Sequence, residues 1–310
     1  MNLSLLDSFG PALLGLLAAL AVWAVRARFR SSRPVVPGGV RGWTLAGVLL
    51  GVGIVLLQRA LYLPGAPLMR AVAGPVEHWF VIFTTPLVAG LAAVALLALP
   101  VVRRSGAGSA DLARRTLTSF GARWWFVTLA ALVAVMTLVT VMAGSVSSPD
   151  EQGRYTRYLV DVGPAGIWTS IYGWHYSVPC LVLTALLVST ALIGIQLAAR
   201  PPMTPDREND VANRRWRTRN IMAVTSGALL LHLAAVLRSL AGAAFTHGGV
   251  STEQGWFRIG STFAALEQPL WVAETIAELV GWLLWFTVLL AAVTALRSQT
   301  ASQSRTRPRA

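Results

Sequence analysis

The 310-residue sequence contains no lysine, a single cysteine and few charged residues. Without a lysine amine the chain cannot form a Schiff base with retinal, so a retinal-binding protein is excluded. Cys180 on its own excludes an internal disulfide and a thiolate metal cluster. Charged residues make up 13% of the chain, whereas a soluble domain carries about a quarter. Apolar sequence takes the place of the missing charge.

Seven apolar runs dominate the sequence. Hydrophobic residues make up 55% of the chain and its mean hydropathy is +0.60. Each run is long enough to cross a bilayer core of about 30 Å. The runs cover residues 9–27, 42–62, 78–101, 124–145, 176–199, 220–243 and 271–296. We therefore predict an all-α, polytopic integral membrane protein, with one transmembrane bundle over residues 1–298 and a disordered tail over 299–310.

The net charge of +13 is unevenly distributed along the chain. If the segments between the runs alternate between the two sides of the membrane, one side holds 20 arginines and 4 acids, and the other holds 6 arginines and 9 acids. The positive-inside rule assigns the basic side to the cytoplasm. We predict an N-terminus outside, a cytoplasmic C-terminus and a location in the plasma membrane. Because the arginines follow topology, they do not indicate nucleic-acid binding.

Enzyme motifs are absent from the sequence. It has no P-loop, dinucleotide-binding or metalloprotease motif, no G-x-S-x-G turn and no C-x-x-C pair. The chain therefore has no ATPase of its own, and we predict no catalytic residue, no metal and no cofactor. Haem would need axial ligands inside the bundle, and only His232 is expected to lie deep. His78 and His175 fall at the outer boundary, where structural histidines are favoured over a surface metal site.

Two glutamates interrupt the last apolar run. In the stretch WVAETIAELVGW, Glu274 and Glu278 are four residues apart and share one helix face. Counted at about 1.5 Å per residue, Arg59 and Arg238 reach a similar depth in the second and sixth runs. We predict that these four charges cluster within the outer leaflet. Three interpretations remain open: interhelical ion pairs, an outward-facing pocket for a cationic or amphiphilic ligand or for proton relay, and snorkelling of the arginines.

The segments between the runs indicate further structure. Two cytoplasmic helices are predicted over 109–120 and 204–219, with the second continuing into the sixth transmembrane helix. The outer segments 146–175 and 244–270 combine glycine, tryptophan and apolar residues. We interpret these outer segments as caps on the bundle, with segments that dip into the membrane interface as the alternative.

The stretch YGWHYSVPCLVLTALLVSTALIGIQLAARPP, residues 172–202, resembles uncharacterised multi-pass membrane proteins of high-GC Gram-positive bacteria. Some of those proteins are encoded beside ABC transporter ATPases. The resemblance implies a permease-like subunit powered by a separate ATPase, which would dock on residues 109–120 and 204–219. It covers a tenth of the chain and carries no catalytic or binding residue with it.

The sequence leads to two functional hypotheses. The first is a non-enzymatic plasma-membrane protein that serves as a transport or export component, with membrane lipid and a cytoplasmic ATPase or other membrane subunit as partners. The alternative is a membrane enzyme or assembly factor that acts on lipid or cell-envelope substrates at the outer face. The candidate site residues are Arg59, Arg238, Glu274 and Glu278, with His78, His175 and His232 as secondary candidates. The alternative would act through the long outer segments, which supply Asp150, Glu151, Asp161, Glu253 and Glu267 but no recognisable acid–base spacing.

Overall fold

The computed structural model describes residues 3–29, 36–62, 74–99, 120–162, 165–199, 207–252 and 255–305. The helices of this part of the chain are α1 (Leu3–Phe29), α2 (Gly38–Leu61), α3 (Pro75–Ala98), α4 (Arg123–Ser145), α5 (Trp174–Ala199), α6 (Arg207–Phe245) and α7 (Glu267–Arg305). All seven contain a segment that is long and apolar enough to cross a membrane. The predicted helical, multi-pass architecture is confirmed.

Helix α6 lies at the centre of the bundle. It contacts α2, α3, α4, α5 and α7, while α1 packs against α7 and α2 packs against both α3 and α7. The apolar part of α6 is buried along most of its length, whereas α1 and α4 expose most of theirs. A helix surrounded by protein can hold polar side chains that lipid would not tolerate. The polar residues of α6 therefore have the interior of the bundle as their environment.

Two helices extend beyond their apolar runs. Helix α6 begins at Arg207, as expected if the predicted cytoplasmic helix over 204–219 continues into the sixth span. Helix α7 continues to Arg305, where the sequence predicts a disordered tail from residue 299. No glycine or proline follows Arg297 until Pro308, so nothing in this segment ends the helix. Residues 306–310, and residues 109–119 of the other predicted cytoplasmic helix, lie outside the described residues.

The connections at one end of the bundle form β-strands, which the sequence analysis did not predict. Strands β1 (Ser148–Pro149), β2 (Tyr155–Val162) and β3 (Ala165–Ser170) form one antiparallel sheet, and β4 (His247–Thr252) pairs with β5 (Gly255–Gly260) in another. The stretch YTRYLVDV is rich in the β-branched and aromatic residues that favour strands. We call this end of the molecule, defined by residues 148–170 and 247–260, the hairpin end.

The sheets are attached to the helices by a small second core. Tyr158, Val160 and Ile171 are buried together with Ala243 of α6. The Tyr158 hydroxyl lies 2.9 Å from Oγ1 of Thr262, just before α7. The two sheets also contact each other through β3 and β4. They therefore cover the end of the bundle at which α6 ends and α7 begins.

Asp150 shapes the turn between β1 and β2. Its Oδ1 accepts hydrogen bonds from the backbone N–H groups of Gln152 and Arg154, each at 2.9 Å, and its Oδ2 accepts one from Arg154 Nε at 2.8 Å. Gly153 occupies the left-handed region at φ 76°. Burial by itself raises the pKa of Asp150, but the hydrogen bonds from Arg154 and Gln152 outweigh it and lower the pKa to about 2.

Candidate functional site

Close packing of α6 on α7 positions the predicted charges. A Cβ atom at Gly227 would lie 2.4 Å from Cδ1 of Trp285 and 3.0 Å from the carbonyl oxygen of Gly281. The Trp285 indole fills this space, and its Nε1 donates a 2.9 Å hydrogen bond to the Val224 carbonyl. Small residues let membrane helices approach closely in this way. The same close packing holds α6 and α7 together where they lead toward Arg238 on α6 and toward Glu278 and Glu274 on α7.

The structure brings all four predicted charges together. Arg238 of α6 donates from Nε to Oε1 of Glu274 at 2.9 Å and from Nη2 to Oε2 of Glu278 at 2.9 Å. Arg59 of α2 forms an ion pair between Nη2 and Oε1 of Glu278. Its Nη1 donates a 2.7 Å hydrogen bond to the Ser8 carbonyl of α1. We call Arg59, Arg238, Glu274 and Glu278 the charge cluster; it links α2, α6 and α7 directly and α1 through Ser8.

The two signs of charge in the cluster differ in their exposure. The side chains of Glu278 and Glu274 are 1% and 4% exposed, whereas those of Arg59 and Arg238 are 16% and 39% exposed. The guanidinium of Arg59 also lies over the Trp282 ring, 5.4 Å from its centroid. The carboxylates of α7 thus bind both arginines. In the snorkelling interpretation the arginines would instead extend their charged ends toward water, which is a different arrangement. The arginines form the accessible side of the cluster.

A cleft of about 150 Å³ opens beside the charge cluster. Its polar lining comes from the hairpin end of the helices and includes all four cluster residues together with Tyr62 and His78. Its apolar lining lies deeper and includes Val55, Ile82, Pro86 and Leu231. The cluster is therefore more than a set of ion pairs between packed helices, because it forms one wall of a space.

Tyr62 is a site residue that the sequence analysis missed. Its hydroxyl is buried and has no hydrogen-bond partner among the described residues. Its ring lies 4.4 Å from the His78 ring, centroid to centroid, and both residues line the cleft. Tyr62 follows Arg59 by three residues, the spacing that places two side chains on one helix face. That spacing was the available signal, but a tyrosine at the end of an apolar run is more commonly an interfacial anchor.

The other two candidate histidines, His175 and His232, have structural surroundings. His232 is fully buried, and its Nδ1 lies 2.7 Å from the Phe83 carbonyl of α3. A carbonyl only accepts, so this nitrogen carries the proton and Nε2 faces the Tyr172 hydroxyl at 3.4 Å. The ring of His175 packs against those of Phe80 and Tyr176. Neither histidine lines the cleft, and across the described ranges no three His, Cys, Asp or Glu side chains are placed to hold a metal ion.

The arginines at the other end of α6 are built into the fold. Arg214 is fully buried; its Nε donates to Asp210 at 2.7 Å, and its Nη1 donates to the carbonyls of Ala198 and Ala199 at the end of α5. Arg217 is 3% exposed and donates from Nε to the Leu97 carbonyl of α3 at 3.1 Å. These carbonyls lie in the last turns of their helices, where intrahelical donors are missing.

This burial corrects one detail of the predicted docking segment over 204–219. Arg214 and Arg217 face the bundle and not a cytoplasmic partner, because they complete the ends of α3 and α5. Arg215 between them is exposed. Residues 204–206 of the segment lie outside the described residues. A partner docking here would meet Arg215 and not its two neighbours.

Comparison with known proteins identifies no relative of this chain. No protein-family model, curated protein or solved structure matches this chain. The resemblance over residues 172–202 therefore stays a prediction. The functional inference depends on the charge cluster and the cleft.

Proposed function

We propose that the chain is a non-enzymatic, multi-pass protein of the plasma membrane that acts as a permease-like transport component, with the cleft as part of its substrate pathway. The observation that carries the proposal is the charge cluster. Its four ionisable side chains lie between helices that are long and apolar enough to span a membrane, and they line an open cleft. Ionisable groups at such positions are energetically costly and commonly mark ligand or ion pathways. Ion pairs that only fix helix order do not need a cleft beside them.

The proposed orientation places the hairpin end outside the cell and the C-terminus in the cytoplasm, because of the arginine distribution. Single cysteines test it. Tyr155 and Trp256 are 46% and 68% exposed at the hairpin end, and Arg215 is exposed at the opposite end. Cysteine at position 155 or 256 should react with an impermeant thiol reagent on intact cells, and cysteine at 215 should react only after lysis. The native Cys180 is buried and gives a low background. Labelling at 215 alone would reverse the orientation.

Energy for transport would come from a separate ATPase. It would dock at the end of the bundle opposite the hairpin end, where Arg214, Arg215 and Arg217 lie, which we call the arginine-rich end. Purification of the chain from its own membranes in a mild detergent should recover a cytoplasmic ATPase at a fixed ratio. Arg215→Glu should reduce that recovery, because this side chain is accessible, while the folded state is retained. A chain that is recovered alone in several mild detergents would argue against a permease subunit.

The alternative function is a membrane enzyme or assembly factor that acts on lipid or cell-envelope substrates at the outer face. Acid–base catalysis there would need unpaired carboxyl groups. Asp150 is held by Arg154, and Glu151 forms an ion pair with Arg157 at 3.3 Å. These two acids are thus already engaged, which argues against catalysis by this pair. Recovery of the chain with bound envelope lipid and without an ATPase would favour the alternative.

A further inference from the structure

We infer that the cleft binds an amphiphile by an acidic head group, a carboxylate or a phosphate, with its alkyl chain directed toward the middle of the bundle. The inference rests on the proposed function only in taking the cleft as the substrate pathway. It names the chemical class of the substrate. Four features of the cleft support it: the gradient of polarity, the sign of the exposed charge, an unsatisfied donor and the size of the space.

Polarity changes along the cleft in the same direction on three helices. On α6, Arg238 lies at the hairpin end and Leu231 lies about 10 Å deeper, at 1.5 Å per residue. On α3, His78 precedes Pro86 by about 12 Å on the same scale. On α2, Tyr62 and Val55 repeat the pattern. A molecule that fits this lining has one polar end and one apolar end.

The sign of the exposed charge selects the polar end of the ligand. A ligand that enters the cleft meets Arg238, which is 39% exposed, before Glu274 or Glu278, which are 4% and 1% exposed. Both carboxylates are already bound by arginine. A cationic head group would therefore approach a like charge, whereas a carboxylate or phosphate would approach guanidinium N–H donors. This exposure favours an acidic head group over the cationic ligand that the sequence allowed.

The Tyr62 hydroxyl adds a donor that has no acceptor among the described residues. A buried hydroxyl without a hydrogen bond costs free energy, and that cost is recovered when a ligand supplies the acceptor. A hydrogen bond to an ionised oxygen is stronger than one between neutral groups. Tyr62 lines the cleft together with Arg238 and His78, at the polar end where the head group would be placed.

The size of the cleft suits a ligand with a single chain. Its volume is about 150 Å³, close to that of an engineered apolar cavity that holds one benzene molecule. This space accepts a head group and a short stretch of one alkyl chain. It does not enclose the two chains of a phospholipid.

The test is calorimetric titration of the purified full chain in a non-ionic detergent, with detergent alone as the blank. Four probes separate the parts of the proposed ligand: octanoate has both head and chain, 1-octanol lacks the charge, propanoate lacks the chain, and octyltrimethylammonium reverses the charge. Octanoate should bind at least tenfold more tightly than each of the others. Equal binding of octanoate and 1-octanol, or tighter binding of the cation, would overturn the inference. Equal binding of octanoate and propanoate would assign the cleft to a water-soluble anion, and this result would also overturn the inference.

A pair of tyrosine variants tests the head-group position. Tyr62→Phe removes only a hydroxyl that has no partner in the described protein, so the fold should be unaffected, and octanoate binding should weaken about tenfold. Tyr176→Phe is the matched control: its hydroxyl is also buried and unpartnered but lies outside the cleft. An unchanged affinity in Tyr62→Phe, or an equal loss in both variants, contradicts the proposed head-group site.

Failure of this inference can be told apart from failure of the transport proposal. Octanoate binding is measured on the isolated chain and needs no ATPase. A chain that recovers an ATPase but binds no octanoate refutes the acidic amphiphile and leaves transport standing. A chain that binds octanoate but recovers no ATPase supports the ligand class and refutes the permease subunit.

Discussion

Replacing Glu278 should destabilise the bundle more than any other single change in the charge cluster. Glu278 is the shared partner of two arginines, since it pairs with both Arg59 and Arg238. The near-isosteric change Glu278→Gln removes its charge and leaves its volume. Arg238 still has Glu274 after this change. Among the described residues, Arg59 keeps the Ser8 carbonyl and the face of Trp282.

The expected loss follows from the burial of these groups. Breaking a buried ion pair costs about 3–5 kcal/mol, because one charge remains uncompensated. Arg59 keeps 16% exposure and a carbonyl acceptor, so we expect the lower end, about 3 kcal/mol. Glu274→Gln should cost only about 1 kcal/mol, because its partner Arg238 is 39% exposed and keeps Glu278. The order of the two glutamates is the sharper part of the prediction.

A double-mutant cycle identifies the partner that is left uncompensated. In the Glu278→Gln background, Arg59→Gln should recover about 2 kcal/mol. Arg238→Gln should recover less, because it removes the cation that pairs with Glu274 in the described part of the chain. Equilibrium unfolding in mixed micelles with a rising fraction of denaturing detergent measures the free energies. Losses that add within about 0.5 kcal/mol would show that Glu278 and Arg59 do not interact. A larger recovery with Arg238→Gln would refute the assigned pairing.

Three further predictions concern the scaffold around the site. Arg217→Gln should lower the free energy of unfolding by about 2 kcal/mol, because it removes charge-assisted hydrogen bonds to carbonyls at the end of a helix. Arg215→Gln, at the exposed neighbour, should change the free energy of unfolding by less than about 0.5 kcal/mol. An equal effect of the two changes would contradict the capping role. Gly227→Ala should lower the free energy of unfolding by about 1–3 kcal/mol, because the added methyl group clashes with α7. Gly242→Ala should be neutral or stabilising, because the added methyl group meets no atom of the described residues within 4 Å. Similar losses in the two variants would refute the close packing. The lowered pKa of Asp150 stabilises the β1–β2 turn above pH 3.8, and that contribution should be lost as the pH falls toward 2; hydrogen exchange of residues 150–157 should show the loss, which Asp150→Asn should abolish.

Local signals in the sequence were sufficient for the helices and for the charge cluster. Length and hydropathy decide whether a segment can span a membrane, and neither depends on its neighbours. The cluster followed from two local rules: the four-residue spacing of Glu274 and Glu278, and the similar depth of Arg59 and Arg238 on their helices. What these rules could not supply was the pairing, since it depends on which helix lies beside which. The junction of α2, α6 and α7 is a tertiary property.

The strands at the hairpin end show why other features were missed. Strands β3, β4 and β5 have only six residues each and contain glycine. Strand formation at this end also depends on pairing with a partner strand and on burial of Tyr158 against α6. The arginines of α6 illustrate a second limit. From the sequence, Arg214, Arg215 and Arg217 are equivalent basic residues that follow the positive-inside rule. Only the position of the ends of α3 and α5 distinguishes the two buried residues from the exposed one.

The two arginine pairs described above, Arg214 with Arg217 and Arg59 with Arg238, differ in what their partners require. At the arginine-rich end, Arg214 and Arg217 bind backbone carbonyls that would otherwise lack donors. Their charge is thus explained by the ends of the helices. The two carboxylates of the charge cluster, by contrast, do not bind the end of a helix in the described part of the chain. A buried ion pair can also be replaced by apolar residues with little loss or with a gain in stability. Folding alone therefore does not account for Glu274 and Glu278. The cleft beside them, with Arg238 exposed and Tyr62 lacking an acceptor among the described residues, is the feature from which we propose that the cluster takes part in ligand binding.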